Sequence, residues 1–192
     1  PAAYITVADM LYQQYGDQRS IESHYASMIK WADHIADKYL KKGLITKDKY
    51  GDWCVPPESP ELIHAKDTAR ITDGGLIATA YYAKLLQYLT KFACILGKPA
   101  DAAKMQNLHA TIKTAFNQTY FNKEKKYYGN NTVTANLLPI SFGLVSDADE
   151  ATVFNHIVTT IFVENNGHIS TGLIVSHWLM RGLTKHDRSD IA

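Results

Sequence analysis

The chain has 192 residues, 46% hydrophobic and 20% charged, the make-up of one globular domain or of part of a larger one. Its 20 basic and 19 acidic side chains leave a formal net charge of +1, which gives no electrostatic footprint for nucleic acid or an anionic membrane as partner. No apolar run approaches the roughly 20 residues that cross a bilayer. Pro1 stands where a Met would, and no signal-peptide pattern follows. The start is therefore expected to be an artificial or cleaved boundary that carries no address.

Helical periodicity dominates. A short helix is expected from Ala2 to Gln14. The stripe Ile21, Tyr25, Met28, Ile29, Ala32, Ile35, Ala36, Tyr39, Leu40 then advances in steps of three and four, one apolar face of a long helix. Gly16 and Asp17 mark its start and Gly43 its stop. A third helix carries Ile77, Tyr81, Leu85, Tyr88, Leu89, Phe92, Ile95 and Leu96, and stops at Gly97. Pro99 opens a fourth, with Met105, Leu108, Ile112, Ala115 and Phe116 on one face. Residues 123–131 are polar around Tyr127-Tyr128-Gly129 and suggest a small hairpin. Thr134 to Leu144 reads as a helix that Pro139 should kink or shorten. Ser146 and Asp149 resemble a capping box ahead of a sixth helix with Val153, Phe154, Ile157, Ile161 and Phe162. Asn165-Asn166-Gly167 breaks it. A seventh helix spans Ser170 to Leu183, and an eighth is expected to begin near Asp187.

Helices joined by short connections pack as antiparallel hairpins. Strands and helices do not alternate, which argues against a parallel α/β sheet, and no tetratricopeptide-type repeat is visible. The fold class is all-α. Periodicity does not choose between hairpins closed into a ring and hairpins stacked into an open solenoid. Met28, Met105 and Met180 read as core. Cys94 reads as a buried free thiol and Cys54 as a loop residue; two cysteines without close-set histidines make no zinc site.

One connection differs from the rest. Leu44 to Arg70 shows little helical pattern, holds Pro56, Pro57 and Pro60, and is too long for an ordinary loop. Trp53, Cys54, Val55 and Leu62 make it too apolar for a disordered linker. Within it Asp52 and Trp53 are adjacent. An indole stacks on the apolar C–H face of a sugar, and a carboxylate accepts from its hydroxyls. The plainer alternative is a Trp that anchors the loop beside a solvated Asp. Glu58 and Glu61 flank Pro60 and read as solvated loop charges rather than as the carboxylate pair of a glycosidase. His168, after a glycine turn and before a helix, is placed either to bond a sugar hydroxyl or to cap the helix. His24, His34, His64, His109, His156, His177 and His186 show no metal-ligand spacing, and His177 with Trp178 reads as packing. There is no glycine-rich phosphate loop and no nucleophile elbow. No cofactor or metal is expected.

These residues together resemble a family. Tyr50-Gly51-Asp52-Trp53 followed by Cys54-Val55-Pro56-Pro57-Glu58 resembles the Gly-Asp-Trp loop of bacterial α-L-rhamnosidases of glycoside hydrolase family 78. Leu11 to Asp17, Thr79-Ala80-Tyr81-Tyr82, Thr134 to Ile140 with Gly143-Leu144-Val145, and Gly167 to Leu173 are similar to further landmarks of that family, in the same order. Val175 departs, standing where the family often has a second glycine.

The resemblance implies an (α/α)6 barrel of which residues 1–192 supply about seven of twelve helices, the remainder of the parent catalytic domain being a partner. It implies inverting hydrolysis of terminal α-L-rhamnose from a glycoside or oligosaccharide. In such hydrolysis a carboxylic acid and a carboxylate about 6.5–9.5 Å apart act from opposite faces of the sugar. The family's acid and base motifs are both missing here, so no catalytic residue is assigned in this chain. Asp52, Trp53 and His168 carry over as substrate-binding residues. A partial ring is expected to expose apolar stripes and so to be poorly soluble or to oligomerise. The rival readings are a different toroid carbohydrate-active enzyme and a non-enzymatic helical protein-binding module.

Overall fold

The computed structural model describes residues 3–56 and 69–192. Glu58, Glu61, Leu62 and His64 lie outside the described residues. Among the described residues seven α-helices run in chain order: α1 (Ala3–Tyr15), α2 (Arg19–Tyr39), α3 (Gly74–Ile95), α4 (Pro99–Tyr120), α5 (Val133–Ser141), α6 (Asp147–Thr159) and α7 (Leu173–Lys185). Among the described residues the only strands form two antiparallel hairpins, β1 (Leu40–Lys41) with β2 (Leu44–Ile45) and β3 (Phe121–Asn122) with β4 (Tyr127–Tyr128). The all-α reading is therefore the observed one. The chain divides into two compact units, one reaching to Thr46 and taking up Tyr81–Ala115, the other comprising Lys47–Ala80 and Phe116–Ala192.

In the first unit the apolar stripe of α2 does what its spacing dictates. Ile21, Tyr25, Met28 and Ala32 are buried, and α1 packs on α2 with Ile5 and Ala8 buried. The Tyr25 hydroxyl donates to Asp101 at 3.0 Å and the Tyr82 hydroxyl to the Ala32 carbonyl at 2.9 Å. Gly43 is not a helix stop. α2 ends at Tyr39, and Lys42 (φ 52°) with Gly43 (φ 80°) makes the two-residue turn between β1 and β2. Two consecutive left-handed residues are what such a hairpin turn requires. A Cβ on Gly43 would sit 2.6 Å from the Ala115 Cβ, so the position has no room for a side chain. Cys94 is exposed, not buried; it falls just outside the buried face of α3 that Phe92 and Ala93 occupy.

The second unit is built on α5, whose residues Val133 to Ile140 are all buried. Thr132 caps it by accepting from the Ala135 N–H at 3.1 Å. Pro139 sits inside this nine-residue helix without breaking it. The expected hairpin at 123–131 is β3–β4, pinned by Asn136, whose Oδ1 accepts from the Tyr128 N–H at 2.8 Å. Ser146 does not form a capping box. Its hydroxyl donates to the Asp149 carboxylate at 2.7 Å, while Lys126 pairs with that carboxylate at 2.9 Å. α6 runs into a π-helical turn, Thr160–Glu164, before the Asn165-Asn166-Gly167 break. Met180 is exposed on α7, since the buried face there is Val175, Leu179 and Leu183. The eighth helix is replaced by turns over 186–191, closed by Arg188 N–H to Leu183 O at 2.9 Å and Ile191 N–H to Arg188 O at 3.0 Å.

Candidate functional site

The second unit brings three helix starts to one place. Asp73 accepts from the Leu76 N–H at 2.8 Å at the start of α3, and the Thr72 and Thr132 hydroxyls meet at 2.6 Å, linking the approaches to α3 and α5. Asn130, just before α5, donates through Nδ2 to the Ile71 carbonyl at 3.0 Å. Between α5 and α7 the link is Asp52. Its Oδ2 accepts from the Thr134 hydroxyl at 2.5 Å and its Oδ1 from the Gly172 N–H at 2.9 Å. The next carbonyl, Trp53 O, accepts from the Leu173 N–H at 2.8 Å.

Asp52 and Trp53 are adjacent but occupy opposite environments. Asp52 is only 7% exposed, whereas Trp53 is 56% exposed. Burial pushes the Asp52 carboxyl above its ordinary value, and the Thr134 and Gly172 hydrogen bonds pull it back down. The Trp53 ring does not anchor the loop to the core; it leaves an open face. Asp48 secures the approach by accepting from the Gly51 N–H, and Cys54 turns the chain away with φ 62°.

Beyond Trp53, Val55 and Pro56 enter the wall of a concavity of about 930 Å³ that is also lined by Arg70, Asn130, Asn165 and His168. Its size lies in the range of small-molecule sites. His168 follows Gly167 (φ 79°), and its backbone N–H donates to the Asn165 carbonyl at 2.9 Å. It does not cap α7, whose N-cap residue is Gly172. Its imidazole is exposed and has no partner among the described residues. The Asn165 amide donates to the Ser170 hydroxyl at 2.9 Å and holds the loop on which His168 stands. The lining combines amides, hydroxyls and an imidazole with the charged Arg70 and Glu164, a polar wall that suits a hydroxyl-rich ligand, and Trp53 stands two residues before its first lining residue, Val55. Among the described residues, no group of three or more His, Cys, Asp or Glu is arranged to hold a metal ion. No helix there is long and apolar enough to cross a membrane.

Residue type alone does not single out Thr134 or Gly172. Both lie inside segments that carry the family resemblance, and a buried carboxylate at position 52 demands donors of this kind.

The family model for the bacterial alpha-L-rhamnosidase 6 hairpin glycosidase domain matches residues 1–192. An alpha-L-rhamnosidase of Streptomyces avermitilis is 32% identical over 191 residues, covering 99% of this chain and 17% of the relative. One from Alteromonas sp. is 28% identical, covering 94% of this chain and 19% of the relative. The chain thus spans about a fifth of the length of the curated relatives it matches. The solved alpha-L-rhamnosidase from Dictyoglumus thermophilum superimposes with a TM-score of 0.86 at 30% identity, covering 99% of this chain and 21% of that one. The Streptomyces avermitilis structure complexed with L-rhamnose gives 0.85 at 30% identity, covering 98% and 17%.

Proposed function

Because the chain belongs to the bacterial alpha-L-rhamnosidase six-hairpin glycosidase domain family, we propose that it is part of the catalytic domain of a glycoside hydrolase that removes terminal α-L-rhamnose. Its helical hairpins are those of part of an (α/α)6 toroid. Rhamnose is the sugar bound in one of the matching structures, and alpha-L-rhamnosidase is the name of the relatives that the chain matches end to end. This favours the hydrolase over a protein-binding solenoid.

The observation that carries the substrate reading is the open face of Trp53, set on a loop tied at both sides of the residue. A deoxy sugar presents C–H groups and a methyl to such a ring and keeps its hydroxyls for polar partners. The unpartnered His168 imidazole is the partner for a hydroxyl. Inverting hydrolysis needs an acid and a base across the glycosidic bond. In this reading both come from the remainder of the parent domain, which also covers exposed apolar residues such as Leu173 and Met180. The present chain binds and orients the sugar.

Titration of the chain with L-rhamnose, followed by tryptophan fluorescence, tests the assignment. A saturable change is expected and is lost in Trp53→Ala. No change in the wild type, or an unaltered change in Trp53→Ala, overturns it. The chain alone is expected to release no nitrophenol from nitrophenyl-α-L-rhamnoside. Release that is abolished by mutating one of its own carboxylates would show that a catalytic group lies within it.

A further inference from the structure

We propose that Asp52, Thr134 and Gly172 form a clip that positions the Trp53 ring, and that Asp52 acts through Trp53 without touching the sugar. The inference rests on the reading of Trp53 as the sugar-stacking residue and departs from that reading for Asp52.

Both oxygens of Asp52 are already used. Oδ2 takes the Thr134 hydroxyl and Oδ1 takes the Gly172 N–H, from partners 82 and 120 residues away in sequence. With the residue 7% exposed, a sugar hydroxyl would have to displace one of these donors from a buried acceptor. An unsatisfied buried donor makes that exchange unfavourable. The carboxylate does have a use where it is. The N-cap of α7 is Gly172, which has no side chain with which to cap it. Asp52 places negative charge beside that helix start, where the exposed N–H groups and the helix dipole favour it.

The consequence falls on Trp53. On its N-terminal side the Asp52 side chain is fastened to α5 and α7. On its C-terminal side its own carbonyl is fastened to Leu173. The Trp53 Cα is therefore bracketed, and Cys54 leaves the bracket in the left-handed region. The backbone that carries the ring is fixed before any ligand arrives, and only side-chain rotation is left to be ordered on binding. The base of the clip is rigid, because Thr134 is fully buried within α5. Its other jaw admits only glycine. A Cβ at position 172 would overlap Asp52 Oδ1 and lie 2.5 Å from the Trp53 carbonyl oxygen.

The chain has three tryptophans, Trp31, Trp53 and Trp178, so its indole N–H resonances in a ¹⁵N-labelled sample resolve the three rings, with Trp53→Phe identifying one. Asp52→Ala and Thr134→Val are expected to shift and broaden the Trp53 signal while leaving those of Trp31 and Trp178 in place. L-rhamnose affinity should fall on the order of tenfold. Thr134→Ser keeps the donor and should restore both readouts. A Trp53 resonance unmoved in both Asp52→Ala and Thr134→Val overturns the clip, as does equal disturbance of all three indoles, which would mark a general loss of structure. If the Trp53 resonance responds as expected but the wild-type chain binds no rhamnose, the clip stands and the sugar reading of Trp53 falls. If Trp53→Ala abolishes binding while Asp52→Ala and Thr134→Val leave affinity unchanged, the sugar reading stands and the clip falls.

Discussion

The two units are stabilised by different chemistry. In the first, apolar helix faces meet, and Asp9 is its one buried polar residue among those described, paired with Lys91 at 2.7 Å. The second holds seven more: Asp52, Thr72, Thr79, Thr134, Asn136, Thr160 and Thr171. Non-glycine residues with positive φ follow the same division, with Lys42 in the first unit and Cys54, Lys126, Asn131, Asn166 and Asp187 in the second. Buried polar groups and left-handed backbone cost stability unless the surroundings satisfy them. Three of them, Asn131, Thr160 and Asn166, line the concavity itself, and Asp52 with Thr134 ties down the loop that leads to it. The first unit packs apolar faces; the second gives up that simplicity to hold the loops of the candidate site.

The difference is open to perturbation. The largest effect is expected for Gly172→Ala. The added methyl must push the Asp52-Trp53 segment away, which breaks the hydrogen bonds to Gly172 and Leu173 together. A loss of about 3 kcal/mol in denaturant unfolding is expected, with loss of rhamnose-induced fluorescence change. Gly43→Ala is its counterpart in the first unit, strained by φ 80° and by contact with Ala115. It should cost about 1–3 kcal/mol yet leave the Trp53 indole resonance where it is; movement of that resonance would erase the contrast between the two units.

Thr134→Val keeps the shape but leaves a buried carboxylate oxygen without its donor, and should cost about 1–3 kcal/mol in the same assay. Asp52 also makes stability depend on pH. Its carboxyl is raised by burial, so the folded chain holds that proton more tightly than the unfolded chain does. Its contribution therefore favours folding at low pH and is lost as pH rises from the ordinary carboxylate range, about 4, through the raised value. Relative to Asp52→Asn, the wild type should gain stability on acidification across that window. Asp17, Asp149 and Asp190 shift the opposite way and cancel in the difference between the two curves. A flat difference would show that Asp52 titrates as it does in the unfolded chain. The smallest effect belongs to Lys104→Ala, which removes an exposed pair with Asp33 in the first unit and should change stability by less than about 1 kcal/mol.

Periodicity sufficed for part of the helical packing. The α2 stripe is where spacing placed it, because burial of a helix face is written in steps of three and four, whereas α3 buries Leu76, Tyr82 and Leu86 beside its expected Ile77, Leu85, Leu89 and Phe92 and leaves Tyr81 and Tyr88 half-buried. Misreadings arose where residue type is compatible with two local structures. Gly43 can stop a helix or turn a hairpin, and its contact with Ala115, 72 positions along, goes with the turn. Ser146 can accept from a backbone N–H or donate to Asp149, and Lys126 draws the carboxylate into an ion pair. Helix α7 starts three residues later than its apolar pattern, because Gly172 is held in the extended region (ψ 174°) as its N-cap.

The sequence by itself determined the all-α architecture, the segment that carries Trp53, and the family, since each depends on local spacing or on motifs along the chain. What only the tertiary structure decided is which member of the Asp52-Trp53 pair faces outward. Neighbours in an extended loop have no preferred side until distant groups claim one of them. Here a threonine on α5 and a glycine at the start of α7 take the carboxylate, and the indole is left in the open.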